Sequence, residues 1–452
     1  METAVNPQTQ KQEFHIAVLM FLFFFLVIAV FQLLKPLKSG LFVEVYGAEV
    51  ELYAKLSNIL LAAAGVAVFS LLHSTLPRQR IIYVLSAFFM GSFLFLASAL
   101  TTPSPALVWG FYLLGDLEAT IMVAAFWAYL TDIANSLQAK RLFGPIGAGG
   151  VLGGWLGVLV ARLLLEQVGA EGLLVVAAGM MGLVSGTIVY AERRIRQASV
   201  FRPATKLRLV PKDEPSGPSL RTEALAGARL VLRSPYLLAI AGLMASYEIA
   251  SQLLDYQFKL AAEKLAGVQA TQAFMTDVYL YANILAVVVQ FFLVGFVLKR
   301  FGLTTALLIL PLAIIAGSVG FLATSTLAAV SLLVIFDNGL NYSIQQTGRE
   351  SLYLITSPDE KYKARAFIQM FVQRLAKGVS IGTMIGLGLL GVTAQYLSVL
   401  TIGVMLVMVA SGVYAGRHFA RVSNDEAKSH PSVVKAPIAQ IQAHVPAQLA
   451  AG

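Results

Sequence analysis

Residues 127–160, WAYLTDIANSLQAKRLFGPIGAGGVLGGWLGVLV, have a second version further along the chain. Residues 350–388, ESLYLITSPDEKYKARAFIQMFVQRLAKGVSIGTMIGLG, follow the same plan: an aromatic helix end, a short basic loop, then a glycine-rich apolar helix. The loops align as Gln138-Ala139-Lys140-Arg141 against Lys363-Ala364-Arg365, which places Ala139 and Ala364 225 residues apart in a chain of 452. A duplication with a period of almost half the length, in an apolar chain, points to a membrane transporter made of two similar halves.

Composition agrees with that reading. Hydrophobic residues make up 58% of the chain and charged residues 13%, and the apolar residues come in runs of about 20 rather than in amphipathic stripes. The expected fold is an all-α membrane protein of twelve transmembrane helices in two six-helix halves. The spans fall near 14–34, 54–73, 81–100, 106–131, 143–165, 171–191, 236–258, 276–298, 303–323, 327–348, 366–391 and 395–416. The halves would be 1–195 and 235–420, joined by a basic, proline-bearing cytoplasmic linker, 196–234, that ends in an amphipathic helix. Residues 421–452 read as a disordered cytoplasmic tail.

Lys and Arg crowd the loops after even-numbered spans, with ten of them between Arg193 and Arg233, so both termini are expected in the cytoplasm. The net charge of +9 belongs to this bias and calls for no nucleic-acid partner. With no cysteine there is no disulfide, thiolate nucleophile or thiolate-bound metal. Nothing at the N-terminus reads as a cleaved signal, since a span too long for an h-region follows thirteen mostly polar residues. The histidines His15, His73, His418, His430 and His444 all fall in tails, loops or span ends. No buried imidazole is left for metal, haem or acid–base work, so no catalytic centre, metal or cofactor is expected.

Polar residues inside the spans carry the functional signal, because an ionised group at hydrocarbon depth is costly unless it is paired or faces water. Lys35 and Lys38 share a face near the end of the first span, beside Pro36. They either snorkel to the outer interface or face a cavity. Asp116 lies near the middle of the fourth span, and Glu118 stands about 200° around the helix from it, so the two cannot form a dyad. Asp132, next to Lys140 and Arg141, reads as part of a loop ion pair. GPIGAGGVLGGWLG reads as a close helix-packing stripe. It is not a phosphate loop, lacking the Gly-Lys-Ser/Thr ending and a preceding strand. Arg162, near the outer end of the fifth span, faces either the cavity or the interface.

In the second half, Glu248 and Asp255 share one face of the seventh span, with Lys259 four residues beyond Asp255. The tenth span carries Asp337, Asn338, Asn341, Gln345, Gln346 and Arg349, and polar density on that scale implies a wet cavity. Arg374 and Lys377 sit near mid-membrane in the eleventh span and need anionic partners, whether neighbouring carboxylates or a substrate.

These residues resemble the ATP/ADP translocases, the nucleotide exchangers of obligate intracellular bacteria and plastids. Lys38 matches a lysine that ends the family's first span, although Ser39 stands where the family has Asp. Gly47-Ala48-Glu49, with Lys55 at the expected distance, matches the segment that follows. Asp116 in Gly115-Asp116-Leu117-Glu118 and Asp255 before Lys259 stand at the places of two family glutamates. Arg349-Glu350 falls on a Lys-Glu pair, Arg374-Leu375-Ala376-Lys377 on Arg-Leu-Gly-Lys, and Ala364-Arg365-Ala366…Gln369 on Gly-Lys-Ala…Asp. The resemblance implies a major-facilitator-like fold in a bacterial inner membrane, and a small anionic solute, a nucleotide, as the partner. The substrate site would comprise Lys35, Lys38, Lys55, Asp116, Asp255, Lys259, Arg349, Arg374 and Lys377.

The residues by themselves keep a second reading open, a proton-coupled porter for another solute with Asp116, Asp255 or Asp337 titrating. A third is a membrane sensor or scaffold that transports nothing. The expected mechanism is exchange by rocking of 1–195 against 235–420, with Asp116 and Asp255 pairing with the cavity lysines until substrate displaces them.

Overall fold

A computed structural model describes residues 7–100, 104–134, 136–197, 220–265, 267–356 and 364–429. Among these the chain is helical, with no strand: α1 (Pro7–Thr75), α2 (Arg78–Ala99), α3 (Pro105–Ile133), α4 (Ser136–Gln197), α5 (Leu220–Arg233) and α6 (Pro235–Ala262) come first. Then follow α7 (Val268–Arg300), α8 (Gly302–Thr324) and α9 (Leu327–Ile355), α10 over 365–389, and α11 (Leu397–Ser429). Among the described residues nine of these helices are long and apolar enough to cross a membrane. Much of the linker (198–219) and the tail from 430, with His430 and His444, lie outside the described residues, as do the side chains of His73, Lys140 and Arg141.

Two of the nine are pairs of helices meeting at a glycine corner. Gly47 (φ 84°) turns α1 and Gly169 (φ 67°) turns α4, at backbone angles that glycine adopts without the penalty a Cβ brings. The position of the first corner changes the reading of Lys35 and Lys38. The sequence suggests a helix running out just after residue 34, but α1 continues unbroken to Gly47. Both lysines therefore lie well inside it, Lys38 being 3% exposed, and neither snorkels to a helix end.

The duplicated glycine stretch packs as a ridgeless stripe. A Cβ built on Gly149, Gly153 or Gly157 of α4 would stand 2.5, 2.2 or 2.2 Å from the carbonyl oxygens of Phe21, Phe25 and Ala29 on α1. Only glycine at every fourth position lets two backbones come so close. An aromatic cluster seals the same contact from the α3 side, with Phe126 stacked on Phe24 at 4.4 Å and edge-on to Trp127 at 5.1 Å.

Buried apolar residues gather in two large clusters. One lies wholly within 16–195, and the other, apart from Val43 and Val158, within 231–419. Hydrogen bonds between the two groups of helices concentrate where the Gly47 corner meets the α6–α7 turn. There the Ala48 amide donates to Glu263 (3.1 Å), and the Gly267 amide and the Thr271 hydroxyl donate to Glu44 (both 3.2 Å). Nearby, Arg162 on α4 is bound to Asp277 on α7 at 2.5 Å and to Glu166 at 2.9 Å. Asp132 pairs with Arg78 at 2.5 Å.

Candidate functional site: a cationic cavity between the helices

Among the described residues six helical segments each turn one polar stripe, and α7 its Tyr279, toward a shared central cavity, the stripes having the three- and four-residue spacing of a helix face. The segment of α1 before Gly47 supplies Phe31, Lys35, Lys38 and Ser39, and the segment after it Lys55 and Asn58. From α3 come Tyr112, Asp116 and Thr120; from α6, Tyr247, Glu248, Ser251, Gln252, Asp255 and Lys259. Asp337, Asn338 and Tyr342 come from α9, and Gln369, Gln373, Arg374 and Lys377 from α10. The cavity has an outer lobe of about 400 Å³ and an inner lobe of about 180 Å³.

Wide helical turns shape two of these faces. A π-helical turn at Asn341–Gln345 carries Tyr342, and another at Ile368–Val372 carries Gln369. Such turns insert a residue and re-aim the face beyond it.

Two ion networks hold the cavity walls. Lys38 and Asn58 both donate to the Asp116 carboxylate, one to each oxygen, and the Lys38 ammonium lies 5.1 Å from the Tyr112 ring centre. The second network is a chain. Lys259 donates to Glu51 (2.6 Å) and to Asp255 (2.7 Å), while Lys55 donates to Asp255 (2.6 Å) and to Gln252 (3.3 Å). Gln252 in turn donates to Glu248 at 3.3 Å. Asp255 is thus shared between a lysine of its own helix and one from α1, which is more than the simple i, i+4 pair its spacing suggests. Ser251 donates to Asp337 at 2.7 Å.

The charges do not cancel. Among the described residues six cations (Lys35, Lys38, Lys55, Lys259, Arg374 and Lys377) line the two lobes against four carboxylates (Asp116, Glu248, Asp255 and Asp337). Among the described residues Lys35, Arg374 and Lys377 take part in no ion pair. Lys35 lies 4.3 Å over the Tyr279 ring and 3.5 Å from the Asn338 carboxamide oxygen. Unpaired cations gathered in one cavity attract anions, and Arg374, the most exposed of the three, adds a planar fork suited to phosphate or carboxylate.

Eight of the nine residues expected at a substrate site line this cavity. Arg349 is not among them: it is buried, donates to Asn341 at 2.8 Å and lies 4.9 Å from the Tyr247 ring, behind the lining. Asp337 lines the inner lobe with Asp116 and Asp255. Glu118 turns away from Asp116 into the protein, fully buried, with neither carboxylate oxygen hydrogen-bonded. Sequence reasoning passed over Asn58, Glu51 and Tyr279. An asparagine inside an apolar span was the signal for Asn58, whereas Glu51 lies outside the expected spans and meets Lys259 only because α1 runs on past Gly47.

The family model described as TLC ATP/ADP transporter matches residues 106–419. The chain belongs to this family. It is 24% identical to ADP,ATP carrier protein 1 of Chlamydia trachomatis, over 89% of this chain and 88% of that one. It is also 24% identical to ADP,ATP carrier protein 1 of Rickettsia conorii (78% and 82% covered), and 22% identical to the chloroplastic ADP,ATP carrier protein 2 of Arabidopsis thaliana (83% and 67%). Among solved structures it is similar to the nucleoside transporter NupG, with TM-score 0.58 and 14% identity over 88% of this chain and 99% of that one. The POT family transporter PepTSo gives TM-score 0.57 and 14% identity, with 92% and 98% covered. This TLC-family protein is an integral membrane transporter with a major-facilitator-like helical fold, and not an enzyme.

Proposed function

We propose that this TLC-family transporter exchanges nucleotides of the ATP/ADP type by alternating access. The observation that carries the reading is the surplus of cations converging on one cavity from helices on both sides, in a chain whose relatives are named ADP,ATP carriers. A nucleotide tail carries several negative charges, and Lys35, Lys38, Lys55, Lys259, Arg374 and Lys377 would meet them. Asp116 and Asp255 hold three of those lysines. Substrate phosphates would take over the lysines and release the acids. Movement of an empty carrier would strand charges in a closed, dry cavity, so the loaded form moves more readily, which is the basis of exchange.

We read the nine apolar helices, two of them doubled at Gly47 and Gly169, together with α10 and its Arg374 and Lys377, as twelve crossings. We place both termini in the cytoplasm of a bacterial inner membrane, with 1–195 and 235–420 as the rocking units. The joined corner of Glu44, Ala48, Glu263 and Gly267 then lies on the outer side, and the cavity faces the cytoplasm.

The test is counterflow. Proteoliposomes loaded with unlabelled ADP should take up labelled ATP, while empty vesicles and vesicles loaded with amino acids should not. Absence of exchange with every nucleotide, from folded and inserted protein, would overturn the reading. Asp337, buried in the cavity wall with one carboxylate oxygen unpartnered, favours a second reading, a proton-coupled porter. Uptake driven by a pH gradient without internal nucleotide would support that alternative.

A further inference from the structure

A groove of about 710 Å³ opens on the surface where α5, α6, α10 and α11 meet, and it shares no lining residue with the cationic cavity. Its lining is apolar apart from Ser411 and Tyr414. Pro235, Leu238, Gly242 and Ala245 follow one face of α6 at three- and four-residue spacing. The groove therefore runs along about ten residues of helix, or about 15 Å. That length is the depth of one leaflet, half of a hydrocarbon core about 30 Å thick. Leu232 and Leu238 stand open along it, 75% and 50% exposed.

The end of the groove where α5 joins α6 is basic. Arg229 and Arg233 are exposed at i, i+4 on α5 and flank the groove-lining Leu232. On α11 the groove-lining Tyr414 is followed on its own face by the exposed Arg417 and Arg421, three and seven residues on. The rings of Tyr236 on α6 and His418 on α11 stack at 4.7 Å and hold these helix ends together. Arg365, two residues before the groove-lining Phe367, is already bound to Glu350 at 2.9 Å. Among the described residues none of the other four arginines takes part in an ion pair. The bias of Lys and Arg toward one side of the membrane accounts for their number, but not for their register against one groove.

We infer that this groove binds an anionic phospholipid of the bilayer, with an acyl chain laid along α6 and the phosphate among the arginines of α5 and α11. The ligand is apolar over the length of the groove and negative where the groove is positive, and guanidinium forks suit its phosphate. Phe367 and Val372 line the groove, while Gln369, Gln373 and Arg374 of the same helix line the cationic cavity. The lipid thus lies behind the cavity-facing side of α10. The inference does not depend on which solute the cavity carries.

Native mass spectrometry of the full-length protein, given equal concentrations of phosphatidylglycerol and phosphatidylcholine with identical chains, reads the binding. The wild-type protein should retain phosphatidylglycerol over phosphatidylcholine by about tenfold or more. Arg229→Gln combined with Arg233→Gln should lower phosphatidylglycerol retention about tenfold and leave phosphatidylcholine unchanged. Lys299→Gln combined with Arg300→Gln removes the same charge at the end of α7 and should keep the preference. Ala239→Trp fills the groove and should lower retention of both lipids with every arginine in place. If the α5 variant fails to fold, Arg417→Gln combined with Arg421→Gln reads the same preference from α11. Equal retention of the two lipids by the wild-type protein would overturn the inference. So would equal losses from the α5 and α7 variants, which would mean general surface attraction, or unchanged retention by Ala239→Trp, which would mean that no chain enters the groove.

Discussion

Two acidic residues two positions apart on α3 have opposite surroundings. Asp116 accepts from Lys38 and Asn58 at the cavity wall, and Glu118 is fully buried with no hydrogen-bond partner. Lys38→Ala leaves Asp116 without its cation and removes a charge from the proposed phosphate site. We expect it to abolish nucleotide uptake with the protein still inserted, and normal uptake by this variant would remove Lys38 from the site. Glu118→Leu should act on stability instead, because it exchanges an unsatisfied buried carboxyl for an apolar side chain of similar size. A gain of about 1–3 kcal/mol is expected, read as a higher thermal midpoint of the purified protein with uptake kept. A lower midpoint would mean that Glu118 has a partner the carboxyl needs.

At the scale of elements, the duplicated glycine stripe is used differently in its two copies. Gly149, Gly153 and Gly157 press α4 against the α1 backbone, whereas Gly378, Gly382 and Gly386 of α10 would meet nothing within 4 Å if given a Cβ. The second helix packs instead through its neighbouring face, where the Ser380 hydroxyl donates to the Ile249 carbonyl of α6 at 3.2 Å. Gly153→Val should therefore force α1 and α4 apart and cost about 1–3 kcal/mol, seen as a lowered thermal midpoint. Gly382→Val should change it little. Equal destabilisation by the two would mean that the α10 stripe is also a packing surface.

For the whole molecule, the ion pair of Arg162 with Asp277 and the corner at Gly47 hold the two groups of helices together at one end. Rocking requires these contacts to open once per cycle. With no native cysteine in the chain, Arg162→Cys combined with Asp277→Cys gives a clean pair for a short bifunctional thiol cross-linker. Cross-linking should arrest exchange, while either single substitution treated the same way should not. Exchange that continues in fully cross-linked protein would show that this end stays closed throughout transport.

The sequence by itself determined the membrane class, the helical architecture and the polar stripes, because a span's length and its three- and four-residue periodicity are local properties. It also brought forward nearly all the charged cavity residues, since a charge at hydrocarbon depth stands out in any apolar run. Only the tertiary structure decided which charges are paired. Lys38 finds Asp116 78 residues away, Lys55 finds Asp255 at 200 and Lys259 finds Glu51 at 208. It likewise decided that Lys35 and Lys38 lie inside α1 and that Arg349 sits behind the lining. Those outcomes depend on where Gly47 turns the chain and on how closely α1 and α4 approach, and distances of that kind are set by packing between helices, which no local pattern encodes.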